Sequence, residues 1–286
     1  MSQLLLPLLI IGIVQGIAEF LPISSSGHIV ILQNIPVLES AIKTFSDAGG
    51  HDIEKLNLLT GVALHIATLF SVLLFLRNDI LNLITGSLKG ITERKITPEI
   101  KSVIYILTAS IPAGAAGILL NDHFEKIFAS PALVFMMLII NGFILISTKF
   151  IPVKDAAVEN SGIFRSVIVG FFQAAAIIPG ISRSGMTITG GFLTGMAPVE
   201  AARFSFLMSV PVIAGAGLLE GLKASEADYS SGLYMPLSIA MIVTTAVGYS
   251  ALKILYYMVK NIKLHYFGIY TIIAGLTGII ITKTVF

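Results

Sequence analysis

Two stretches of this chain, 158 positions apart, carry the same polar pattern inside otherwise apolar sequence. Gly12, Gln15, Ala18, Ile23, Ser24, Ser26 and Gly27 lie over Gly170, Gln173, Ala176, Ile181, Ser182, Ser184 and Gly185 without a gap, and Ser25 falls on Arg183. The first copy also holds Glu19 and His28. A carboxylate placed in hydrocarbon is costly unless it is paired, hydrated or protonated, so Glu19 marks a candidate functional site.

Composition says which solvent surrounds that pattern. The 286 residues are 55% hydrophobic and 12% charged, against about 25% charged in a soluble domain. The chain is therefore expected to be a polytopic membrane protein. Its length allows six or more helices of roughly 20 residues, the length that spans a bilayer core. There is no cysteine, which excludes disulfides, thiolate metal sites and a cysteine nucleophile. The net charge of +2 and the lack of a basic run interleaved with aromatics exclude nucleic acid as a partner. The first segment has no basic n-region and reads as mature sequence.

In chain order, the apolar run from residue 4 breaks at Pro22 and the Ser24 to Gly27 turn, and only a short apolar arm follows. Two such arms are too short to cross twice, so residues 4–34 are expected to form a re-entrant hairpin. A polar loop with Glu39, Lys43, Asp47, Asp52 and Glu54 follows. Spans are expected over residues 57–76, 102–120 and 132–151, with an amphipathic interfacial segment over 80–101. The pattern then restarts, with a hairpin over 163–197 and spans over 203–222, 235–258 and 266–285. Ile139, Ile140 and Gly142 fall on Ile272, Ile273 and Gly275, in the same order.

The expected fold is thus an all-α polytopic membrane protein in one domain, residues 1–286, with repeat 1 over 1–151 and repeat 2 over 163–286. Each half is a re-entrant helix hairpin plus three transmembrane helices. Three crossings per half is odd, so the second copy enters the membrane upside down, an inverted-topology repeat. Eleven basic residues fall on one side (Arg77, Lys89, Arg94, Lys95, Lys101, Lys149, Lys154, Arg165, Arg203, Lys260, Lys263) and five on the other (Lys43, Lys55, Lys126, Lys223, Lys283). The positive-inside bias places both termini and the mouth of the first hairpin on the outer face.

Two tips meeting at the midplane would surround one volume with Gln15, Glu19, Ser24, Ser25, Ser26 and His28 from one copy and Ser182, Arg183, Ser184 and Thr187 from the other. A buried arginine among hydroxyls suits phosphate, because its planar fork takes two phosphate oxygens at once. Ser25 is a nucleophile if a base lies near. Glu19, one helical turn after Gln15, can accept the serine proton or, with Gln15, hold a divalent cation, magnesium or calcium. His28 can move a proton near neutral pH. His65, alone in its span, reads as a hydrogen-bonded packing residue, and Glu200 with Arg203 as an ion pair at the membrane boundary.

These residues resemble the undecaprenyl-diphosphate phosphatases of the UppP (BacA) type. The likeness rests on Gln15 to Glu19 as a (Glu/Gln)-x-x-x-Glu motif, on the turn from Pro22 to His28, and on Pro179 to Gly185 as Pro-Gly-x-Ser-Arg-Ser-Gly. The resemblance covers essentially the whole chain. It implies removal of the terminal phosphate of a polyprenyl diphosphate, recycling the lipid carrier of cell-wall peptidoglycan, often with magnesium or calcium. It also implies a link to bacitracin resistance and a homodimer in the plasma membrane with its site open to the outer face. By position it makes Glu19, Ser25 and Arg183 essential, and Ser24, Ser26, Ser182 and Thr187 phosphate-binding. Many members have Glu where this chain has Gln15, which moves any carboxylate role onto Glu19. The reading favours Ser25 as nucleophile, Glu19 as base or metal ligand, Arg183 as phosphate clamp and His28 as proton donor or support. Architecture alone also suits a secondary transporter or lipid-phosphate flippase.

Overall fold

Pro22 and Pro179 interrupt the chain at the two copies of the polar pattern, since the residue before a proline is pushed out of the α region. The structure, a computed structural model, describes residues 2–33, 53–120, 127, 130–152, 154–160, 162–225, 229 and 231–285. Around Pro22, α1 (Ser2–Phe20) and α2 (Ser25–Gln33) form the first hairpin. There follow α3 (Ile53–Phe75), α4 (Arg77–Thr92), α5 (Pro98–Leu119) and α6 (Pro131–Ser147), the last continued by a 3-10 turn, Thr148–Phe150. The second hairpin is α7 (Gly162–Ala175) and α8 (Arg183–Leu193), followed by α9 (Pro198–Ser225), α10 (Ser231–Lys260) and α11 (Leu264–Val285).

Six of these helices, α3, α5, α6, α9, α10 and α11, are long and apolar enough to cross a membrane. The chain is an all-α polytopic membrane protein. The shorter hairpin arms α2, α7 and α8, at 9, 14 and 11 residues, fall below the roughly 20 residues that a crossing needs. The polar loop expected before α3 lies largely outside the described residues. The segment expected to be interfacial, 80–101, divides between two helices. Within α4, Leu81, Ile84, Leu88 and Ile91 recur at helical spacing and are exposed, as a helix lying against lipid requires. α5 starts earlier than its apolar run, because Thr97 caps it by accepting from the Ile100 amide and Pro98 takes the first helical position.

Arg203 of α9 has a closer partner than Glu200. It meets Asp79 of α4 at 2.7 Å, with Glu200 at 3.7 Å, so the pair fastens α4 to α9 rather than only closing its own first turn.

Packing delivers the hairpins to one place. α1 leans on α10, while α7 leans on α5. Phe20 at the end of α1 is fully buried and meets Phe206 of α9 edge-on at 6.0 Å, within a core that also takes Phe204, Met208, Leu252 and Leu255. α6 and α11 approach closely enough that their backbones touch. A Cβ at Gly268 would stand 2.5 Å from the Gly142 carbonyl oxygen, so only glycine permits the crossing.

Gly268→Ala is therefore expected to overpack the α6–α11 contact by about 1–3 kcal/mol and to lower the Tm of the detergent-solubilised protein. Gly61→Ala, whose added methyl meets nothing within 4 Å, is expected to leave Tm unchanged or raise it.

Candidate active site

Both hairpin turns are built by the same serines. Ser24 Oγ accepts from the Gly27 amide at 3.3 Å and pairs with Ser26 Oγ at 3.1 Å. Ser182 Oγ accepts from the Gly185 amide at 3.2 Å and pairs with Ser184 Oγ at 3.1 Å. In each case the first serine satisfies an amide left open at a helix start. Their backbones differ, because Ser24 sits at φ +69° whereas Ser182 sits at φ −82°. A serine in the left-handed region is strained and is held there by its surroundings.

The turns are tied to each other directly. Ser26 Oγ accepts from the Gly180 amide at 3.1 Å. Asn141 of α6, fully buried, donates to the Pro22 carbonyl at 3.2 Å and accepts from the Ser182 amide at 3.0 Å. Gly180 has φ +93°, and a Cβ there would lie 2.3 Å from the Val134 carbonyl oxygen, so this turn admits no side chain.

Glu19 is the centre of the assembly. Its Oε1 accepts from Arg183 Nη2 at 2.5 Å, and its Oε2 accepts from Ser25 Oγ at 2.9 Å and from Gln15 Nε2 at 3.1 Å. The side chains of Glu19 and Arg183 are only 8% and 17% exposed, so each charge depends on the other. Arg183 Nη1 is buried without a partner. Beside the pair lies a cavity of about 170 Å³, walled by Glu19, Arg183, His65 and the hydroxyl-bearing Ser24, Ser25, Ser26 and Ser182. A second cavity of about 280 Å³, between α1, α2 and α3, shares Ser25, Ser26 and His65 with the first. Its remaining walls are mainly apolar, with Ile11, Ile29, Val30 and Leu64.

Of the residues expected at the site, Glu19, Ser24, Ser25, Ser26, Ser182 and Arg183 line the polar cavity, and Gln15 lines its neighbour. His28 lines neither. Its Nδ1 donates to the Ser24 carbonyl at 2.8 Å, its Nε2 meets Tyr270 Oη at 2.8 Å, and the two rings stack. Thr187 bonds to the Arg183 carbonyl and to Ser205 Oγ, and Ser184 to Ser182, so both lie behind the cavity wall. Asn141 and Tyr270 were not expected, and His65 was expected only to pack. Asn141 carries a signal, being a lone amide in an apolar span, whereas Tyr270 carries none.

The side chains at Glu19 do not make a divalent-cation site. Among the described residues no three His, Asp or Glu side chains converge. The single carboxylate has both oxygens filled by three donors. A hard cation binds through several oxygen ligands, and beside Glu19 the others are neutral, the Gln15 amide and the serine hydroxyls.

Six membrane-crossing helices and two broken hairpins that enclose a serine–glutamate–arginine cluster define an integral membrane protein with a serine hydroxyl bonded to a buried carboxylate. The family model described as bacitracin resistance protein BacA matches residues 8–277. Over 268 residues the chain is 35% identical to an undecaprenyl-diphosphatase of Trichlorobacter lovleyi, covering 93% of each protein. A relative of that name in Halothermothrix orenii is 36% identical over 271 residues, 95% of each. One in Rubrobacter xylanophilus is 35% identical over 275 residues, 93% of this chain and 94% of the relative. The chain belongs to the BacA family.

Asn141→Leu keeps the branched shape and removes both bonds that Asn141 makes to the turns, leaving the Pro22 carbonyl and the Ser182 amide buried and unpaired. The expected loss is about 1–3 kcal/mol for each group, read as a lower Tm in detergent.

Proposed function

We propose that this protein is a phosphatase of the plasma membrane that hydrolyses undecaprenyl diphosphate to undecaprenyl monophosphate and inorganic phosphate, returning the lipid carrier to cell-envelope glycan synthesis. The observation that carries the reading is the Ser25 hydroxyl 2.9 Å from Glu19, a carboxylate whose other oxygen holds Arg183. A nucleophile, its base and a phosphate-binding cation thus share one cavity wall.

The terminal phosphate enters the polar cavity. One of its oxygens takes the unpartnered Arg183 Nη1, and the Ser24, Ser26 and Ser182 hydroxyls donate to the others. Ser25 Oγ attacks phosphorus as its proton passes to Glu19. The bond from phosphorus to the bridging oxygen breaks, and the electron pair leaves with undecaprenyl monophosphate. Water then attacks the phosphoserine, and Glu19 returns its proton to Ser25 Oγ. Gln15 holds Glu19 Oε2 toward Ser25, and His28 fixes the Ser24 carbonyl and so the turn. Ser184 and Thr187 support Ser182 and the first turn of α8. No step is routed through magnesium or calcium.

Both termini and the cavity mouth lie on the outer face, a reading supported by the distribution of Lys and Arg. The two halves are inverted repeats. The three spans in each half, an odd number, support this, as does the exchange in which α1 packs on α10 and α7 on α5. The protein pairs as a homodimer, on the family resemblance.

Purified protein is expected to release inorganic phosphate from undecaprenyl diphosphate in detergent, and Ser25→Ala and Arg183→Ala are each expected to lower kcat/KM by about 10³-fold or more. Full activity in both variants would sink the site. Wild-type protein that releases no phosphate but moves the lipid across vesicles would be a transporter instead.

A further inference from the structure

An in-line displacement puts the attacking and leaving oxygens on opposite sides of phosphorus. Glu19 serves the serine side, and both its oxygens are engaged there. The leaving side needs a separate proton-carrying group. The titratable side chains among the described walls of the polar cavity are Glu19, Arg183 and His65. Arginine stays protonated and cannot cycle a proton, and both ring nitrogens of His28 are bound away from the cavity.

His65 also stands where the leaving oxygen must be. It lines both the hydroxyl-walled cavity, which suits the terminal phosphate, and the apolar groove, which suits the prenyl phosphate. The bridging oxygen of a diphosphate lying across the two falls at their shared wall of Ser25, Ser26 and His65. His65 Nδ1 donates to the Gly61 carbonyl of its own helix at 2.8 Å, which fixes the ring and leaves Nε2 for a ligand.

Resting on the phosphatase reading above, we propose that His65 carries the proton on the leaving-group side in both half-reactions. In the first, the bridging oxygen takes the bond pair from phosphorus and a proton from His65 Nε2 as Ser25 Oγ bonds to phosphorus and Glu19 takes the serine proton. Undecaprenyl monophosphate departs and water enters in its place. In the second, the water oxygen bonds to phosphorus and gives its proton to His65 Nε2. The bond from phosphorus to Ser25 Oγ breaks, and that oxygen recovers its proton from Glu19. Both groups end as they began.

The test compares full-length wild type and His65→Gln on undecaprenyl diphosphate and on an analogue with sulfur at the bridge, whose leaving group needs little proton assistance. On the oxygen substrate His65→Gln is expected to lose about 10²-fold or more in kcat, with KM nearly unchanged. On the sulfur substrate it is expected to release about one equivalent of thiol per enzyme at close to the wild-type rate and then stall, because phosphoserine hydrolysis still needs the base. Oxygen-substrate turnover close to wild type in His65→Gln overturns the proposal. So does a thiol burst slowed as much as oxygen turnover, which marks a structural role. Ser25→Ala is expected to abolish the burst on both substrates, and a burst that survives it refutes the site reading rather than the role of His65.

Discussion

The ion pair between Glu19 and Arg183, 164 residues apart in sequence, joins the two hairpins. Neither charge is tolerable alone at this depth, and removing one partner of a buried pair typically costs about 3–5 kcal/mol, because the survivor is left uncompensated. The pair becomes acceptable through the additional donors on Glu19, Ser25 and Gln15. In the proposed reaction those contacts are also the chemistry, since the carboxylate that neutralises Arg183 is the one within reach of the Ser25 hydroxyl. Stability and reactivity therefore constrain the same atoms. The packing of α1 on α10 and of α7 on α5 has to bring both tips within hydrogen-bonding distance or leave two charges stranded.

The repeated Ser-x-Ser-Gly frame explains how one sequence device supplies two different halves of a site. In both turns the outer serine caps the following helix, and the residue next to it begins that helix. In the first copy that residue is Ser25, and in the second it is Arg183. A hydroxyl and a guanidinium thus project from equivalent positions toward one carboxylate. The equivalence does not extend to the backbone, because Ser24 is left-handed and Ser182 is not. Ser24 O accepts from His28, and His28 is in turn held by Tyr270 of α11, an anchor that Met186, at the matching position of the second turn, cannot supply.

The hairpins and the Glu19–Arg183 meeting were legible in the sequence because charge inside apolar sequence demands a partner and each copy supplies one sign. The crossing helices were legible from long apolar runs. What stayed hidden depends on which face of a span turns inward. His65 is the single histidine in α3, and only the packing of that helix brings it beside Ser25. Asn141 stands out as an amide in an apolar span, yet its partners are backbone groups of two remote turns, which no side-chain pattern encodes. The motif pointed to His28 and Thr187, but local competition took them, Tyr270 for one and Ser205 for the other. The start of α5 escaped an apolar-run criterion because its first turn is set by a threonine cap and a proline rather than by hydrophobicity.

Phosphate and prenyl chain make opposite demands on their surroundings, and in the proposed reaction the two cavities divide them. Entering the 170 Å³ cavity, a phosphate loses water, which is unfavourable unless fixed donors replace it. The serine hydroxyls and Arg183 Nη1 are such donors, already oriented by bonds among themselves and to the opposite turn. A prenyl chain gains little by leaving lipid for the groove of Ile11, Ile29, Val30 and Leu64, because lipid tails are as apolar as those side chains. The groove only has to accept the chain without a clash, so discrimination among lipids falls to the headgroup. On that proposal, selection and catalysis are concentrated on the same few polar atoms around Glu19.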